Sequence, residues 1–595
     1  MIAIPPALVY FAGAMLLPLI PARLRFPAVL STTVAGFAIT AGLASGTTGW
    51  VLPFLPGASL TLLSVDSLSY VVGFIFAAIS ILAVIYAREL SGPVQQAAIL
   101  VQAGSAMGMV FAGDFLSVFI FWEILALSSL VLIWQGGSEA RGPGYRYALL
   151  HIFGGACLLA GIACQYAETG SLAVGLAEPG ITTLLFVIGV GVNAAVIPFH
   201  AWLPDAYPRS TVVGSVVLCI FTTKAAIYLL ARTLPGLELV MYLGAVMVVY
   251  GIVFAILQDD MRTLLSYHIV SQVGYMVAAI GIGTELAING GIAHLFNHIL
   301  YKALLFMVAG VIIYRTGRHR LSELGGLWRS MPLTFGCCLI ASAAIAGVPG
   351  FNGYVSKELI VGAAAESGFF LLETLLLIGS IGTFLSFVKF NYYAFVKERE
   401  PPPSSDPPKS MQVAMVSSAS ACIVLGVFPG LLFALLPYPV THDVFSISHI
   451  LELLITFSGL ILLIWVARNL TRPITYIPPD VMDAYRAAGR GITRFATVTL
   501  PAAAGFLGGS LSHIVRAAGW VSANPGMALE IGARTTLLRV MDVAGAKSGR
   551  HAQAEALATL RARYPSPRPG GAGAGFGMFL VAMVLFVYFL SDVLL

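Results

Sequence analysis

Two histidines and a lysine recur at a regular spacing in one apolar stretch. His294, His298 and Lys302 stand four residues apart in the segment HLFNHILYK. In a helix, side chains at i, i+4 and i+8 lie along one face. Histidine titrates near neutral pH, and a neutral lysine can take up a proton, so this face suits stepwise proton transfer through water. We call these three residues the central row; the alternative is that each is only a hydrogen-bonded structural group.

Further ionisable side chains fall inside apolar segments. Glu123 lies in FIFWEILALSSL, Lys224 in FTTKAAIY, Lys357 in NGYVSKEL and Lys389 in FLSFVKF. On insertion scales a charge at bilayer depth costs at least ~2.5–3.5 kcal/mol, so such residues normally face a protein interior or a hydrated path. Glu123 has two interpretations, a neutral structural carboxyl or a group that carries a proton or forms an ion pair. Glu358 follows Lys357 but projects about 100° away on a helix, so no pairing between them is expected.

The elements that must hold these groups are membrane helices. The chain has 595 residues, of which 58% are hydrophobic and 10% are charged, and its mean hydropathy is +0.91. A soluble globular protein carries roughly 25% charged residues, and disorder needs low hydrophobicity with high charge. Soluble enzymes, nucleic-acid-binding proteins and disordered chains are therefore excluded, and a polytopic helical membrane protein is predicted.

Apolar stretches of about 20 residues predict about sixteen membrane spans. They are 4–21, 27–45, 68–87, 95–112, 115–134, 147–166, 180–199, 211–231, 239–257, 264–284, 288–314, 332–364, 369–396, 411–436, 450–467 and 574–592. The seventh span runs into Pro198 and Pro204, and the twelfth contains Gly347, Pro349 and Gly350, so both helices are expected to be interrupted. Broken backbone at membrane depth is tolerated only inside protein or beside a wet cavity.

These interruptions also predict the domain organisation. Broken helices at corresponding positions of two halves indicate inverted repeats, as in transporters. We therefore expect N-terminal transmembrane helices at 1–94, a first repeat at 95–232 and a second at 238–397. Further spans follow at 398–467, then a basic amphipathic extension on the cytoplasmic side at 468–573 and an anchor helix at 574–595. Residues 1–21 lack a basic leader and a cleavage site, so a first membrane helix is expected rather than a removed signal peptide.

Basic residues sort to one side of the predicted spans. With the N-terminus outside, the outer loops hold only Arg232, and the inner loops hold fourteen lysines and arginines. These are Arg23, Arg25, Arg88, Arg141, Arg146, Arg209, Arg262, Arg315, Arg318, Arg320, Arg329, Lys397, Arg399 and Lys409. The positive-inside rule therefore predicts this orientation.

The sequence predicts no cofactor. The six cysteines lie in apolar stretches without C-x-x-C or His/Cys ligand spacing, so they are expected to be small buried residues. There is no iron–sulfur, haem or zinc signature. Sodium sites use a few oxygen ligands without a distinctive pattern, and the presence of a metal site stays open.

Several motifs occur together in a specific order. They are FWE (121–123), WLPDAY (202–207), TTK (222–224), QDDMRTLLSYHIVSQVGYM (258–276), HLFNHILYKALLF (294–306) and PGFNGYVSKEL (349–359). Their order and spacing resemble the antiporter-like subunits found in the membrane arm of respiratory complex I, in membrane-bound hydrogenases and in Mrp-type cation/proton antiporters. The likeness covers roughly residues 60–400 and is greatest to the D-type subunit of Mrp Na+/H+ antiporters. It implies an all-α polytopic membrane protein with a fourteen-helix antiporter-like core of two inverted five-helix repeats, plus a C-terminal extension with extra helices.

The resemblance also implies a role for each matched residue. The implied proton path consists of Glu123 on helix 5, Lys224 on helix 8, His294, His298 and Lys302 in the centre, Lys357 on helix 12 and Lys389 on helix 13. One position departs from the family. Nine residues before the tryptophan of W-L-P-D the family has a lysine, and this chain has Asn193, which cannot ionise. Either Lys224 or water takes over its role, or the first half-channel is altered or lost.

Three functional hypotheses follow. The first is a proton- and cation-translocating subunit of a multisubunit Mrp-like antiporter in a prokaryotic inner membrane, a transport subunit without its own redox centre. Its partners would be other membrane subunits, the lipid bilayer, protons and a second cation for which Na+ is a candidate, with no nucleic acid. The second is a proton-pumping subunit of a complex I-like or hydrogenase-like redox complex. The third is a non-conducting structural subunit, which Asn193 alone favours.

Overall fold

The computed structural model describes residues 3–55, 58–400, 404–447 and 480–565, together with 451 and 458. The chain divides into two compact units, Met1–Met482 and Asp483–Leu595. The helices of the first unit are α1 Pro6–Leu16, α2 Ala22–Ala41, α3 Ser67–Ala87, α4 Pro93–Phe111, α5 Phe115–Trp134, α6 Ser138–Thr169, α7 Ile181–Asn193, α8 Trp202–Ala206, α9 Val212–Thr233, α10 Glu238–Leu257, α11 Met261–Ile282, α12 Glu285–Thr316, α13 Leu327–Ser330, α14 Pro332–Ala346, α15 Asn352–Glu366, α16 Phe370–Asn391, α17 Lys409–Val427 and α18 Gly430–Phe433.

The prediction of a polytopic helical membrane protein is confirmed. Within the described ranges, eleven helices are long and apolar enough to cross a membrane, and shorter apolar helices lie at Pro6–Leu19, Ile181–Asn193 and Pro332–Ala346. Two predicted spans, 450–467 and 574–592, lie outside the described residues apart from 451 and 458. The number of core helices and the boundaries of the repeats therefore stay predictions.

A β-hairpin that the sequence analysis did not predict joins α2 to α3. Strands β1 (Thr48–Leu55) and β2 (Ala58–Ser64) pair antiparallel. The carboxylate of Asp114 accepts a hydrogen bond from the Thr61 amide at 2.6 Å and also caps the start of α5. Strands of seven or eight residues with side chains alternating between two faces are shorter than a membrane helix. Apolar runs of about 20 residues therefore do not indicate the hairpin.

Both predicted helix interruptions are present. α7 ends at Asn193, and the chain continues through a 3-10 turn, Phe199–Ala201, into the short helix α8. α14 ends at Ala346, where Gly347 takes φ +82°, and α15 starts at Asn352. Glycine adopts this left-handed conformation without steric cost and so ends the helix within the bundle. The last carbonyls of α14 consequently lack helical partners and are available to side chains.

Helices α10 and α11 pack backbone against backbone. A Cβ added at Gly244 would lie 2.3 Å from the Ala278 nitrogen, and one at Gly274 would lie 2.7 Å from the Val248 nitrogen. A Cβ added at Gly251 would lie 2.5 Å from the Ser271 nitrogen, and one at Gly281 would lie 2.2 Å from the Met241 nitrogen. Small residues at such positions let membrane helices approach closely and increase their van der Waals contact.

Ion pairs and caps fix the ends of the bundle. Asp66 caps α3 and pairs with Arg232 at the end of α9, with the closest oxygen and nitrogen 2.5 Å apart. Arg146 of α6 donates two hydrogen bonds, of 2.7 and 3.0 Å, to the carboxylate of Asp205 in α8. The W-L-P-D segment is thereby held against α6.

The C-terminal region contains the helices Val481–Arg494, Leu500–Ala523, Pro525–Val543 and Arg550–Arg563. The first of them carries Arg486, Arg490 and Arg494, all exposed, as expected for a basic helix of the predicted extension. The predicted anchor at 574–595 lies outside the described residues.

Candidate ion-translocation site

Helix α12 carries the central row through the middle of the bundle. Every residue from Ala287 to Ile312 is buried, and His294, His298 and Lys302 have no exposed surface. The His294 ring is fixed through both nitrogens, with Nδ1 2.9 Å from Ser356 Oγ and Nε2 3.2 Å from Gln272 Oε1. Helix α12 thus places one member of the row in hydrogen-bond contact with both α15 and α11.

The other two members of the row are less constrained. The His298 ring centroid lies 6.2 Å from that of His294 and 5.3 Å from that of Tyr301. Neither ring nitrogen of His298, nor Nζ of Lys302, has a hydrogen-bond partner among the described residues. Both groups are therefore available for proton exchange without breaking a hydrogen bond to the described protein.

Lys224 and Lys357 approach the row from neighbouring helices. Lys224, fully buried on α9, donates to the Cys219 carbonyl at 2.5 Å. Lys357 donates to the Ile345 carbonyl at 2.9 Å and lies 5.0 Å from the centre of the Tyr275 ring. The Ile345 carbonyl is available because α14 ends one residue later. The interruption predicted from glycines thus supplies the acceptor of this lysine.

Lys389 is bound differently. Its ammonium donates to the carbonyls of Ile256 and Gln258, both at 2.7 Å, at the C-terminal end of α10. A cation is favourable there because the carbonyls at the end of a helix carry partial negative charge. The hydrogen bonds of Lys389 therefore go to α10, not to the central row.

The first half of the bundle holds Glu123 and Asn193. Glu123 on α5 faces Gly155 of α6, where an added Cβ would lie 2.1 Å from Oε1. Oε1 is buried and has no hydrogen-bond partner among the described residues. Asn193 is fully buried at the end of α7, and among the same residues neither atom of its amide has a partner. These are the two positions at which the family resemblance leads us to expect an ion pair.

Three polar residues of α11 were missed as site residues. His268 Nε2 lies 2.8 Å from Ser386 Oγ, Gln272 donates to Thr383 at 3.3 Å as well as contacting His294, and the Tyr275 hydroxyl lies 2.9 Å from Ser380 Oγ. All three lie within the quoted motif QDDMRTLLSYHIVSQVGYM. Their spacing of i, i+4 and i+7 was the signal that could have identified them.

A second polar group connects α4, α5 and α9. Gln102 donates to Ser129 at 2.9 Å and accepts from Ser128 at 2.5 Å, and the hydroxyls of Ser129 and Thr222 are 3.3 Å apart. Buried polar groups that bond to one another can be held inside apolar helices. Thr222, the member of this network on α9, precedes Lys224 by two residues.

An inner cluster consists of His200, Tyr250, Tyr267 and Asp480. Both tyrosine hydroxyls donate to the carboxylate of Asp480, and His200 Nε2 lies 3.5 Å from its Oδ1. Burial alone would raise the pKa of Asp480, but hydrogen bonds from His200, Tyr250 and Tyr267 lower it to about 2. The carboxylate is therefore ionised, and within the first unit it binds side chains of α10, of α11 and of the interruption after α7.

The part of the chain that holds these groups is similar to known proteins. Residues 112–386 match the family model of the NADH:quinone oxidoreductase/Mrp antiporter transmembrane region. The chain is 31% identical over 366 residues to NADH-quinone oxidoreductase subunit N of Desulforudis audaxviator, covering 56% of this chain and 73% of that protein. The chain belongs to this family. The matched region includes the central row, Glu123, Lys224 and Lys357, and it ends before Lys389.

Antiporter subunits of this family are also similar. The chain is 30% identical over 449 residues to the A-type subunit of the Na(+)/H(+) antiporter of Alkalihalophilus pseudofirmus, covering 66% of this chain and 55% of that protein. It spans about half the length of the curated antiporter relatives it matches. The likeness to the D-type subunit in particular stays a prediction, since these relatives are of the A and N types.

The fold is shared with a solved assembly of the family. The structure of the Mrp complex from Dietzia sp. DQ12-45-1b contains a chain that superposes with a TM-score of 0.66 at 21% identity, covering 73% of this chain and 95% of that chain. The all-α antiporter-like fold and the multi-pass membrane location expected from the sequence are confirmed.

Proposed function

We propose that this protein is a proton- and cation-translocating subunit of a multisubunit Mrp-like antiporter of a prokaryotic plasma membrane. Protons move along Glu123, Lys224, His294, His298, Lys302, Lys357 and Lys389, and other membrane subunits of the complex are its partners. The protein acts as a transporter without a redox centre of its own. The similarity to antiporter subunits and to the quinone-oxidoreductase subunit supports this assignment.

One observation carries the proposal. Three ionisable groups lie along one face of α12 in the centre of an apolar bundle, and two of them have no hydrogen-bond partner among the described residues. Keeping such groups inside a membrane is costly, and they are normally retained for a path of ions or protons. His294 links the row to Ser356, the residue before Lys357. A proton taken up by Lys302 can therefore pass through the two imidazoles toward α15.

The test replaces the buried amines. Lys302→Met keeps the side-chain volume and removes the titratable group, and Lys357→Ala removes the amine next to the interruption. Each variant is assembled in its complete complex, and exchange of protons for Na+ or K+ is measured as dye-reported ΔpH dissipation in everted vesicles. General acid–base groups contribute ~10²–10⁴-fold to proton-transfer rates, so each exchange rate should fall by at least roughly tenfold.

The matched control is Lys409→Met, because Lys409 is a lysine outside the buried path, at the start of α17. This control should exchange at the rate of the unchanged protein. If both Lys302→Met and Lys357→Ala exchange at the full rate with normal amounts of complex, the assignment of these lysines to the proton path is wrong.

A redox complex is the second candidate. The relative of which this chain covers 73% is a subunit of an NADH-quinone oxidoreductase, which favours this reading. Purification of the native complex decides between the two, because co-purifying iron–sulfur subunits indicate the redox complex and their absence together with cation exchange indicates the antiporter.

A non-conducting structural subunit is the third candidate, and Asn193 is its support. The asparagine fills a fully buried position without forming a hydrogen bond to the described residues. If the first half does not conduct because a lysine is lacking, Asn193→Lys should produce a gain in proton conductance. An unchanged conductance in a correctly folded Asn193→Lys variant speaks against this reading.

A further inference from the structure

An imidazole lies against α15 on the far side from the central row. His442, in the segment that follows α18, contacts Glu358 and Glu366. Its Nε2 is 3.8 Å from Glu358 Oε1, and its Nδ1 is 3.1 Å from Glu366 Oε1. We call Glu358, His442 and Glu366 the outer cluster.

The surface of α15 is shaped to receive this ring. Glu358, Gly362 and Glu366 stand at i, i+4 and i+8, so they share one helix face. A Cβ added at Gly362 would lie 2.8 Å from His442 Cε1 and 2.9 Å from its Nε2. The glycine thus leaves space that the imidazole occupies, with one carboxylate on each side.

The segment that carries His442 is fixed on both sides. The Tyr354 hydroxyl of α15 donates to the Val444 carbonyl at 2.7 Å. Asn289, near the start of α12, donates to the Tyr438 carbonyl at 2.8 Å and accepts from the Tyr438 amide at 3.2 Å. These contacts hold the imidazole in place independently of its charge.

The outer cluster lies at the opposite end of the bundle from the basic loops. It is next to the start of α12, and α12 has 32 residues, a length of about 48 Å at 1.5 Å per residue. Arg315 and Arg318 are at the other end of this helix. The positive-inside orientation therefore places the outer cluster at the outer surface.

Exposure rises from the helix interior to the solvent. Lys357 is 5% exposed, whereas the side chains of Glu358 and His442 are 16% and 14% exposed and that of Glu366 is 62% exposed. The outer cluster thus begins at the residue adjacent to Lys357 and ends in water.

Successive residues of α15 connect the cluster to the central row. Ser356 contacts His294, Lys357 binds the Ile345 carbonyl, and Glu358 faces His442. Each residue turns about 100° from the one before it. Three consecutive positions therefore lead from the row, around the helix, to the outer cluster.

We propose that Glu358, His442 and Glu366 form the outer proton-exchange site, through which protons pass between Lys357 and the solution outside the membrane. This proposal rests on the proposed function and adds the place where the path meets outer water. In the outward direction the Lys357 ammonium, which contacts the Ile345 carbonyl rather than Glu358, gives its proton to water, and water carries it around the helix to the Glu358 carboxylate. Glu358 then protonates neutral His442 at Nε2, and Nδ1 releases a proton to the Glu366 carboxylate and on to water. One proton moves in each step.

The charges around the imidazole favour this role. Glu358 and Glu366 face His442 from α15, Tyr354 lies on the same helix, and Asp443 is its neighbour in the chain. The nearby Glu358 carboxylate raises the pKa of His442 most, burial opposes the rise, and Glu366 adds to it. Among the side chains of the outer cluster, the imidazole is the one whose ordinary pKa lies nearest to neutral pH.

The experiment varies pH on one side of the membrane at a time. The complete complex is reconstituted, or kept in right-side-out vesicles, and cation-driven proton exchange is measured while outer or inner pH is changed separately. His442→Gln and Glu358→Gln should each slow exchange by roughly tenfold or more and flatten its dependence on outer pH. Gly362→Ala, which displaces the ring but keeps every titratable group, should change the same profile in the same direction.

Two control variants separate proton exchange from a merely structural contact. Tyr354→Phe removes a hydrogen bond that fixes the segment but leaves the outer cluster titratable, so its dependence on outer pH should persist. Glu373→Gln removes a carboxylate from the start of α16, outside the cluster, and should exchange as the unchanged protein does.

The outcomes are distinct. Exchange by His442→Gln and Glu358→Gln at the full rate and with the full outer-pH dependence overturns the outer site, while the proposed function stands. The outer site is likewise overturned if Tyr354→Phe loses exchange and outer-pH dependence as severely as His442→Gln, because the segment then acts only as a structural brace. If the unchanged complex does not exchange protons, the proposed function fails, and the outer site fails with it.

Discussion

The close contact between α10 and α11 yields a quantitative prediction for Gly244→Ala. The new Cβ would lie 2.3 Å from the Ala278 nitrogen and 2.6 Å from the Gly274 carbonyl oxygen. Ordinary van der Waals contact begins at 3.4 Å, so α10 and α11 must separate locally by about 1.1 Å. The obstructing atoms belong to the backbone and cannot rotate away.

The cost of this separation has two parts. Overpacking a close contact typically costs about 1–3 kcal/mol. The same shift stretches the 3.0 Å hydrogen bond from Ser271 Oγ to the Val248 carbonyl, worth about 0.5–1.5 kcal/mol. We therefore expect Gly244→Ala to lower the free energy of unfolding by about 2–4 kcal/mol.

The matched control is Gly336→Ala on α14, where an added Cβ meets no atom within 4 Å. There alanine should stabilise the helix by about 0.5–1 kcal/mol, since glycine loses more backbone entropy on folding. Both variants are compared by denaturant titration in mixed micelles, with thermal inactivation as a second measurement. The reasoning is refuted if Gly244→Ala is as stable as the unchanged protein, or if both substitutions act in the same direction.

Three further outcomes can be measured on the same preparation. Lys389→Met removes two charged hydrogen bonds to the end of α10 and should lower the free energy of unfolding by about 2–4 kcal/mol, and an unchanged value would show that these contacts are not formed. Asp480→Asn should lower the free energy of unfolding by about 2 kcal/mol at pH 7. In the folded protein, hydrogen bonds overcome the effect of burial and hold the pKa of Asp480 at about 2 instead of 3.8. The stability difference between the two proteins is therefore fully present above pH 3.8 and disappears as the pH falls through about 2. Equal differences at pH 7 and pH 2 would contradict this cause. Arg146→Ala should lower the free energy of unfolding by only about 1 kcal/mol, since the Arg146 side chain is 34% exposed. Adding Asp205→Asn to this variant should lower the free energy of unfolding little further, because the ion pair is already broken. If the losses from the two single substitutions add up in the double variant, Arg146 and Asp205 do not interact.

Local patterns predicted much of the fold. The apolar runs predicted the helices, and Gly347 and Pro198 predicted the interruptions. Glycine readily adopts the left-handed backbone conformation that ends a helix, and proline lacks the amide hydrogen that a helix needs. Both effects depend only on residues next to them in the sequence. The alignment of His294, His298 and Lys302 followed from helical periodicity alone.

Contacts between distant segments were beyond this reasoning. His442 and Glu366 are 76 residues apart, and neither lies in a motif that indicates the other. Lys389 was assigned to the proton path from the family resemblance, and its ammonium instead binds carbonyls of α10, a contact that depends on where α16 crosses that helix. The conduction roles of all seven proposed path residues stay predictions.

The inner cluster has a consequence for the synthesis of the protein. Asp480 follows Tyr267 by 213 residues, so at ~5–20 residues per second the ribosome needs roughly 10–40 s to add the carboxylate after the tyrosine. During this interval the helices that carry Tyr250 and Tyr267 have been made without their acceptor. The packing at this end of the bundle is therefore completed late, by a residue from beyond the matched family region. A nascent chain interrupted before Asp480 would contain every helix from α1 to α18 and still leave two tyrosine hydroxyls and a histidine without the carboxylate that binds them.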